Sequence, residues 1–264
     1  MDREAGDGRL TATMESARVD VLGVQVSAVN QSMALEAVTD WTRRRDRQYV
    51  CVTGVHGVME SIRDPELRDI HNGSGMTTPD GMPMVWAGRR AGAGWMDRVY
   101  GPDLMLAVCE RAAVEGWSSY FYGAAPGVAD QLATRLLDRF PGLAIAGTHS
   151  PPFRPLTEDE AEAEVRMINA AAPDLVWVGL STPKQERWMA RRRPHLEAPV
   201  LLGVGAAFDI NAGLVAQAPD WMQRSGLEWA FRLGKEPRRL WRRYLRNNPS
   251  FVVRIVRHPP KLVV

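Results

Sequence analysis

Short, uniformly apolar runs alternate along this chain with longer segments whose apolar residues recur at helical spacing. Runs of that kind need cover on both faces, which a mostly parallel sheet flanked by helices supplies. Val19–Val29 reads as a hairpin or paired strands, Gln31–Arg45 as an amphipathic helix and Tyr49–Thr53 as a buried strand. A helix containing Asp64-Pro65-Glu66, a short strand near Met76–Thr78, a helix over Met82–Gly88 and a Gly-rich loop at Arg90–Gly94 follow. The second half is more regular. Helix Asp103–Glu115, strand Ser119–Tyr122, helix Gly127–Phe140 and strand Ala144–Thr148 lead to a capping box of Thr157 and Glu160 that opens helix Glu158–Ala171. Strand Leu175–Gly179, helix Lys184–Arg191 and strand Val200–Val204 close the series.

The 264 residues suffice for one sizeable core and a short appendage. Residues 1–16 are polar, lack the apolar stretch of a signal peptide and are expected to be disordered. No run of about 18 apolar residues is present, so no transmembrane span is expected. Cys51 and Cys109 both sit in apolar runs and read as reduced core thiols of a cytoplasmic protein.

In a sheet of this type ligands bind beyond the carboxyl ends of the strands. Five strand exits therefore matter: Thr53-Gly54-Val55-His56, Thr78-Pro79-Asp80-Gly81, the stretch from Tyr122 to Gly127, the stretch from Gly179 to Glu186, and the stretch from Gly203 to Asp209. Asp80 has two readings, a turn former in Pro-Asp-Gly or a carboxylate able to take a proton from a hydroxyl. Gly123 and Gly127 offer free backbone N–H groups to a phosphate or ribose, although tight strand–helix packing explains them equally well. Neither GxGxxG nor GxxxxGK[ST] occurs, which disfavours nicotinamide enzymes and P-loop NTPases. Lys184 and Gln185 follow Pro183 at a helix start, where they can hold a diphosphate or sugar hydroxyls, or simply be solvated. Arg98 can pair with a leaving phosphate or with Asp103. The five histidines form no metal or triad pattern, and only His56 lies at a strand exit. No Asp-x-Asp pair exists, so the usual manganese signature of one large class of sugar-nucleotide transferases is missing.

Charge is divided unevenly. Ala230–Val264 carries ten Lys/Arg and one carboxylate, Glu236, whereas the whole chain is only +2, leaving residues 1–229 at −7. A basic end on an acidic body is suited to an anion: a membrane surface, a nucleic acid or a lipid-linked substrate. A helix beginning near Pro237 puts Leu240, Trp241, Tyr244 and Leu245 on one arc and Arg238, Arg239, Arg242, Arg243 and Arg246 on the other, and Phe251, Val252, Val253, Ile255 and Val256 extend the apolar surface. Such a helix can lie in a membrane interface or dock on the protein's own core. No helix-turn-helix, zinc-finger or RNA-recognition signature supports nucleic acid as the partner.

TTPDGMPMVW, DRVYGPDLM, FYGAAPGVA, GLSTPKQERWM, GVGAAFDINAGLVAQAPDWM and GLEWAFRLGKEPRR, in this order, resemble the WecG/TagA/CpsF family of bacterial glycosyltransferases over roughly Val19–Asn247. The resemblance implies a Rossmann-like α/β core over residues 17–226 with a basic helical appendage over 227–264. It also implies an inverting, metal-independent hexosyl- or N-acetylhexosaminyltransferase that needs no cofactor. The donor would be a UDP-sugar and the acceptor an undecaprenyl-diphosphate-linked saccharide, in polysaccharide biosynthesis at the inner face of the plasma membrane, with self-association allowed. Carried over to this chain, Asp80 is the general base. Thr53 and Gln185 line the site, and Arg98 lies near the donor phosphates. Gly123, Gly127, Lys184, Gly203, Gly205, Phe208 and Asp209 shape the donor pocket, and Arg232, Arg239 and Arg242 reach toward a diphosphate. One departure stands out. Many members have asparagine where this chain has Val55, so the sugar contact of that amide is lost or passes to His56. The other reading is a nucleotide-sugar-modifying enzyme with a soluble substrate, with nucleic-acid binding a more distant one.

Overall fold

The structure, a computed structural model, describes residues 17–263; the stretch 1–16, expected to be disordered, lies outside them. Strands β1 (Arg18–Val21) and β2 (Val24–Ser27) form the expected antiparallel hairpin, with Val19 opposite Val26. A strand not expected from sequence, β9 (Lys261–Val263), pairs antiparallel with β1 and places Leu262 opposite Val19. Three residues carry too little period to be read locally; pairing with a strand at the other end of the chain defines them.

The main sheet has the order β4-β3-β8-β7-β5-β6, where β3 is Gln48–Thr53, β4 Met76–Pro79, β5 Ser118–Gly123, β6 Ala144–His149, β7 Leu175–Gly179 and β8 Val200–Gly203. The pairs β3–β8, β8–β7, β7–β5 and β5–β6 are parallel. The helices are α1 (Gln31–Arg44), α2 (Val55–Arg63), α3 (Pro65–Asn72), α4 (Met82–Arg90), α5 (Gly101–Glu115) and α6 (Val128–Arg139). They continue with α7 (Glu158–Ala170), α8 (Lys184–Arg192), α9 (Ala207–Asn211), α10 (Asp220–Arg224), α11 (Glu228–Lys235) and α12 (Pro237–Arg257). The expected helix through Asp64-Pro65-Glu66 is in fact two helices. Proline drives the preceding residue out of the helical region, so Asp64 is extended and its carboxylate caps α3 by accepting from the Leu67 N–H at 3.2 Å. The Thr157–Glu160 capping box is present in full.

The chain divides into two compact units. One comprises the residues up to Ala34, Val52–Tyr100 and those from Ala218 onward; the other comprises Leu35–Cys51 and Gly101–Gln217. In the first, the hairpin valines pack with Val58 and Met59 of α2, Met84 of α4, Met96 and Phe251 of α12. In the second, Tyr120, Tyr122, Val176, Val178 and Leu201 from adjacent strands pack with Met189 and Leu196. Both cysteines are buried.

Helix α12 divides the apolar arc read from sequence. Leu240, Asn247 and Phe251 are buried, so part of the helix docks on its own unit. Burial of a phenylalanine such as Phe251 stabilises by roughly 2–3 kcal/mol. Trp241, Leu245, Val252 and Val256, at spacings of four and seven, stay exposed, Leu245 at 67% and Val256 at 71%. Among the described residues, no helix is long and apolar enough to cross a membrane.

Candidate active site

In the first unit the candidate residues lie around Asp80. The Asp80 N–H donates to the Thr53 carbonyl at 2.9 Å and the Val99 N–H to the Pro79 carbonyl at 3.0 Å, tying the exits of β3 and β4 to the loop that carries Arg98. Gly54 is required by this approach, because a Cβ there would stand 2.6 Å from the Asp80 carbonyl oxygen. Gly81 precedes α4 with φ +94°, a left-handed value that favours glycine directly after Asp80. The hydroxyls of Thr53 and Thr78 are both buried and have no hydrogen-bond partner among the described residues. Thr78 was not singled out from sequence, although its place two residues before Asp80 on a strand could have marked it.

Both terminal nitrogens of Arg98 are engaged, by Gln223 and Glu228 and not by Asp103. Its Nη1 donates to Gln223 Oε1 at 2.5 Å and its Nη2 to Glu228 Oε2 at 2.7 Å. The guanidinium lies 3.9 Å from the centre of the Tyr100 ring. Burial first, then the carboxylates of Glu228 and Asp80, hold the Tyr100 phenol well above its usual range, so it stays protonated. Arg232 is one helical turn beyond Glu228 on α11. Burial opposes its charge, but Tyr244, Tyr100, Glu228 and Asp80 together raise its pKa above the ordinary value. Arg98 is thus paired with Glu228 against the Tyr100 ring, and the charges of Asp80 and Arg232 are felt at the same phenol. Glu228 and Tyr100 are further residues that local sequence did not single out. Arg242 is exposed on α12 with its guanidinium 5.2 Å from the Trp241 ring; Arg239 lies in α12 outside the described side chains.

His56 starts the first turn of α2 but is engaged elsewhere. Its Nδ1 is 3.2 Å from Asn247 Nδ2, and Asn247 Oδ1 accepts from Arg63 at 3.0 Å. Burial, with Arg243 and Arg63 nearby, pushes His56 down to about 4. A neutral imidazole accepting from the Asn247 amide fits this geometry. His56 Nδ1 therefore clasps α12.

The second unit holds a buried cluster around Gln185 and Glu186. A cis peptide joins Thr182 to Pro183, and α8 then starts at Lys184, which is exposed. Gln185 is buried, its Nε2 donating to the Gly203 carbonyl at 3.1 Å and to Glu186 Oε1 at 3.2 Å. Thr182 Oγ1 donates to the same Glu186 oxygen at 2.7 Å. Two acceptors on its nitrogen fix the Gln185 amide orientation. Its Oε1 has no partner among the described residues and lies 3.3 Å from the position a Cβ on Gly205 would take. Gly203 is required, since a Cβ there would come within 2.5 Å of Met189 Cε. These glycines thus make room for the Gln185 side chain, a role distinct from the donor contact read from sequence. Burial pushes the Glu186 carboxyl up despite its hydrogen bonds.

Gly123 and Gly127 flank the exit of β5, and Gly127 precedes the first residue of α6. Phe208 is fully buried, its ring edge-on to that of Phe121. Asp209 is partly buried, and its carbonyl accepts from Leu214 and Val215. The loop after β6 presents Phe153 at 83% exposure between prolines. It is anchored by a two-bond pair of Arg154 with Glu160 and by Ser150 Oγ donating to the Gly123 carbonyl at 3.2 Å. Among the described residues, no group of three His, Cys, Asp or Glu side chains comes together that could hold a metal.

Comparison with known proteins bears on what this arrangement serves. Residues 19–262 match the Glycosyl transferase WecG/TagA/CpsF family. Similar proteins include the N-acetylglucosaminyldiphosphoundecaprenol N-acetyl-beta-D-mannosaminyltransferase of Bacillus spizizenii, 32% identical over 199 residues and 75% of each chain. The enzyme of that name from Bacillus subtilis is 28% identical over 197 residues, 75% of this chain and 74% of the other. That from Staphylococcus aureus strain MW2 is 24% identical over 249 residues, 94% of this chain and 95% of the other. With nearly the whole length matched, the chain belongs to the WecG/TagA/CpsF family of glycosyl transferases.

Proposed function

We propose that this protein transfers an N-acetylhexosamine-class sugar from a UDP-sugar to an undecaprenyl-diphosphate-linked saccharide, with inversion and without a metal. The observation that carries the reading is the placement of Asp80. Its backbone is fixed between the exits of β3 and β4, and its charge is felt at the Tyr100 phenol and the Arg232 guanidinium. In a single displacement the acceptor hydroxyl oxygen attacks the anomeric carbon, the carbon–oxygen bond to UDP breaks, and Asp80 takes the hydroxyl proton. Guanidiniums balance the charge that develops on the departing diphosphate. The Thr53 hydroxyl in the first unit and Gln185 Oε1 in the second, each buried without a hydrogen-bond partner among the described residues, are each suited to hydrogen-bond a polar group of a substrate. Phe153 offers a rigidly mounted ring to the base of the nucleotide.

The names of the relatives give the acceptor class and suggest N-acetylmannosamine as the sugar. A lipid-linked acceptor also gives the outer stripe of α12 a purpose. Trp241, Leu245, Val252 and Val256 among exposed arginines are suited to an anionic membrane surface, where the protein would sit on its cytoplasmic side. The direct test is a donor screen: UDP release from UDP-N-acetylmannosamine, UDP-N-acetylglucosamine and UDP-glucose, with and without N-acetylglucosaminyl-diphosphoundecaprenol. Release from one donor that depends on the lipid acceptor is the expected result. No acceptor-dependent release from any donor would contradict the proposal.

A further inference from the structure

Arg98 presents a specific irregularity. The fork formed by Nε and Nη2 is the edge on which a guanidinium takes a phosphate or carboxylate through two parallel bonds. Here only half of that fork is used. Nη2 donates to Glu228 Oε2 at 2.7 Å, while the buried Nε–H has no hydrogen-bond partner among the described residues. The other side is occupied, with Nη1 donating to Gln223 Oε1 and Tyr100 lying beneath the plane. The ion pair is nearly enclosed, the Arg98 and Glu228 side chains being 12% and 17% exposed. Glu228 sits in the first turn of α11 and Arg232 one turn later, so one face of a short helix supplies both a carboxylate and a guanidinium to this cluster.

An enclosed guanidinium held by one carboxylate is poorly suited to capture a weak anion, because the incoming group must displace a partner of equal charge. A more highly charged anion that fills both halves of the fork gains what Glu228 leaves unused. From this geometry we infer that Glu228 is a specificity-determining residue of the anion site: it holds Arg98 in the absence of substrate and is displaced by a diphosphate. The inference rests on the proposed UDP-sugar chemistry for its biological ligand, but the site itself can be tested with inorganic pyrophosphate. Glu228 acts through Arg98 and touches no reacting atom. It sets the threshold that separates a diphosphate from a monophosphate or a carboxylate.

The test is titration of the full chain with pyrophosphate, UDP and UMP at constant low ionic strength by calorimetry, comparing the parent with Glu228→Gln and Glu228→Asp. Glu228→Gln keeps the shape and a hydrogen-bond acceptor but removes the competing charge. It should bind pyrophosphate and UDP about tenfold more tightly and narrow the preference for UDP over UMP. Glu228→Asp keeps the charge and should stay close to the parent. A residue that merely supports the fold would weaken binding in both variants. Unchanged or weaker binding of pyrophosphate by Glu228→Gln would overturn the inference. Should Glu228→Gln show no folded melting transition, the parent still decides. Pyrophosphate should shift the Arg98 Nε–H resonance as that donor gains a partner, and an unmoved resonance would overturn the inference. Absence of acceptor-dependent UDP release from the parent would sink the proposed function, while the pyrophosphate titration would still judge Glu228 by itself.

Discussion

The two units contribute candidate site residues of opposite character. In the first, Asp80, Arg98, Glu228 and Arg232 come from segments far apart in sequence and are nearly all charge. In the second, Thr182, Gln185 and Glu186 are neighbours in one motif, and Gly203 and Gly205 make room for an amide. The charged cluster can hold a diphosphate and move a proton. The amide cluster also carries Glu186, but that carboxyl is buried and held by Thr182 and Gln185, so the base of the proposed reaction is assigned to Asp80. Chemistry is therefore assigned to the first unit and positioning to the second, and the difference gives distinct expectations for each.

The largest effect is expected at the base. Asp80→Asn should lower turnover by roughly 10²-fold or more while UDP affinity, read by calorimetry, stays nearly constant; unchanged turnover would remove Asp80 from the role. Next comes the clasp between α2 and α12. Because His56 is held at about 4 against an ordinary 6.5, the unfolded chain takes up its proton first as pH falls. Stability from this group is complete above about 6.5 and is lost as pH falls toward 4, by up to about 3 kcal/mol. Urea midpoints measured from pH 7 to 4 should drop less steeply for His56→Gln than for the parent, and parallel curves would refute the clasp.

In the second unit, Gly203→Ala forces a methyl group against Met189 and the Gln185 amide, at a cost of about 1–3 kcal/mol. Its melting temperature should fall and its KM for donor should rise, with UDP-independent pyrophosphate binding untouched. An equal loss of pyrophosphate affinity would erase the distinction between the two clusters. The smallest effect concerns the outer stripe of α12. Trp241→Ser with Leu245→Ser should weaken co-sedimentation with anionic liposomes severalfold and leave the melting curve in place, since neither side chain is buried. Removing the residues after Arg246 is a harsher form of this test, because it also takes away Phe251 and β9, which pack in the core.

Much of the second unit's cluster could be read from local order. PKQE follows a strand and opens a helix, so Gln185 falls near the sheet edge by counting alone. Asp80 was legible for the same reason. The partners of Arg98 were not, because Gln223 and Glu228 lie 125 and 130 residues away and no periodicity links them to it. Asp103, nearby in sequence, was the natural but incorrect candidate for pairing. The break at Asp64 was legible in principle, since proline constrains the residue before it, yet the flanking helical periods masked it. The tail's net charge was legible by counting. Its burial was beyond a helical projection, which places Leu240 beside Trp241 although one is in the core and the other in solvent.

The central claim is a single displacement with Asp80 as the only base. It is tested most directly by the anomeric configuration of the product made from the α-configured donor that the screen identifies. The account predicts a β-linked sugar on the lipid acceptor, read from the one-bond carbon–hydrogen coupling at the new anomeric centre. An α-linked product would demand a second displacement and a nucleophile that the Asp80 cluster does not provide, and would contradict it.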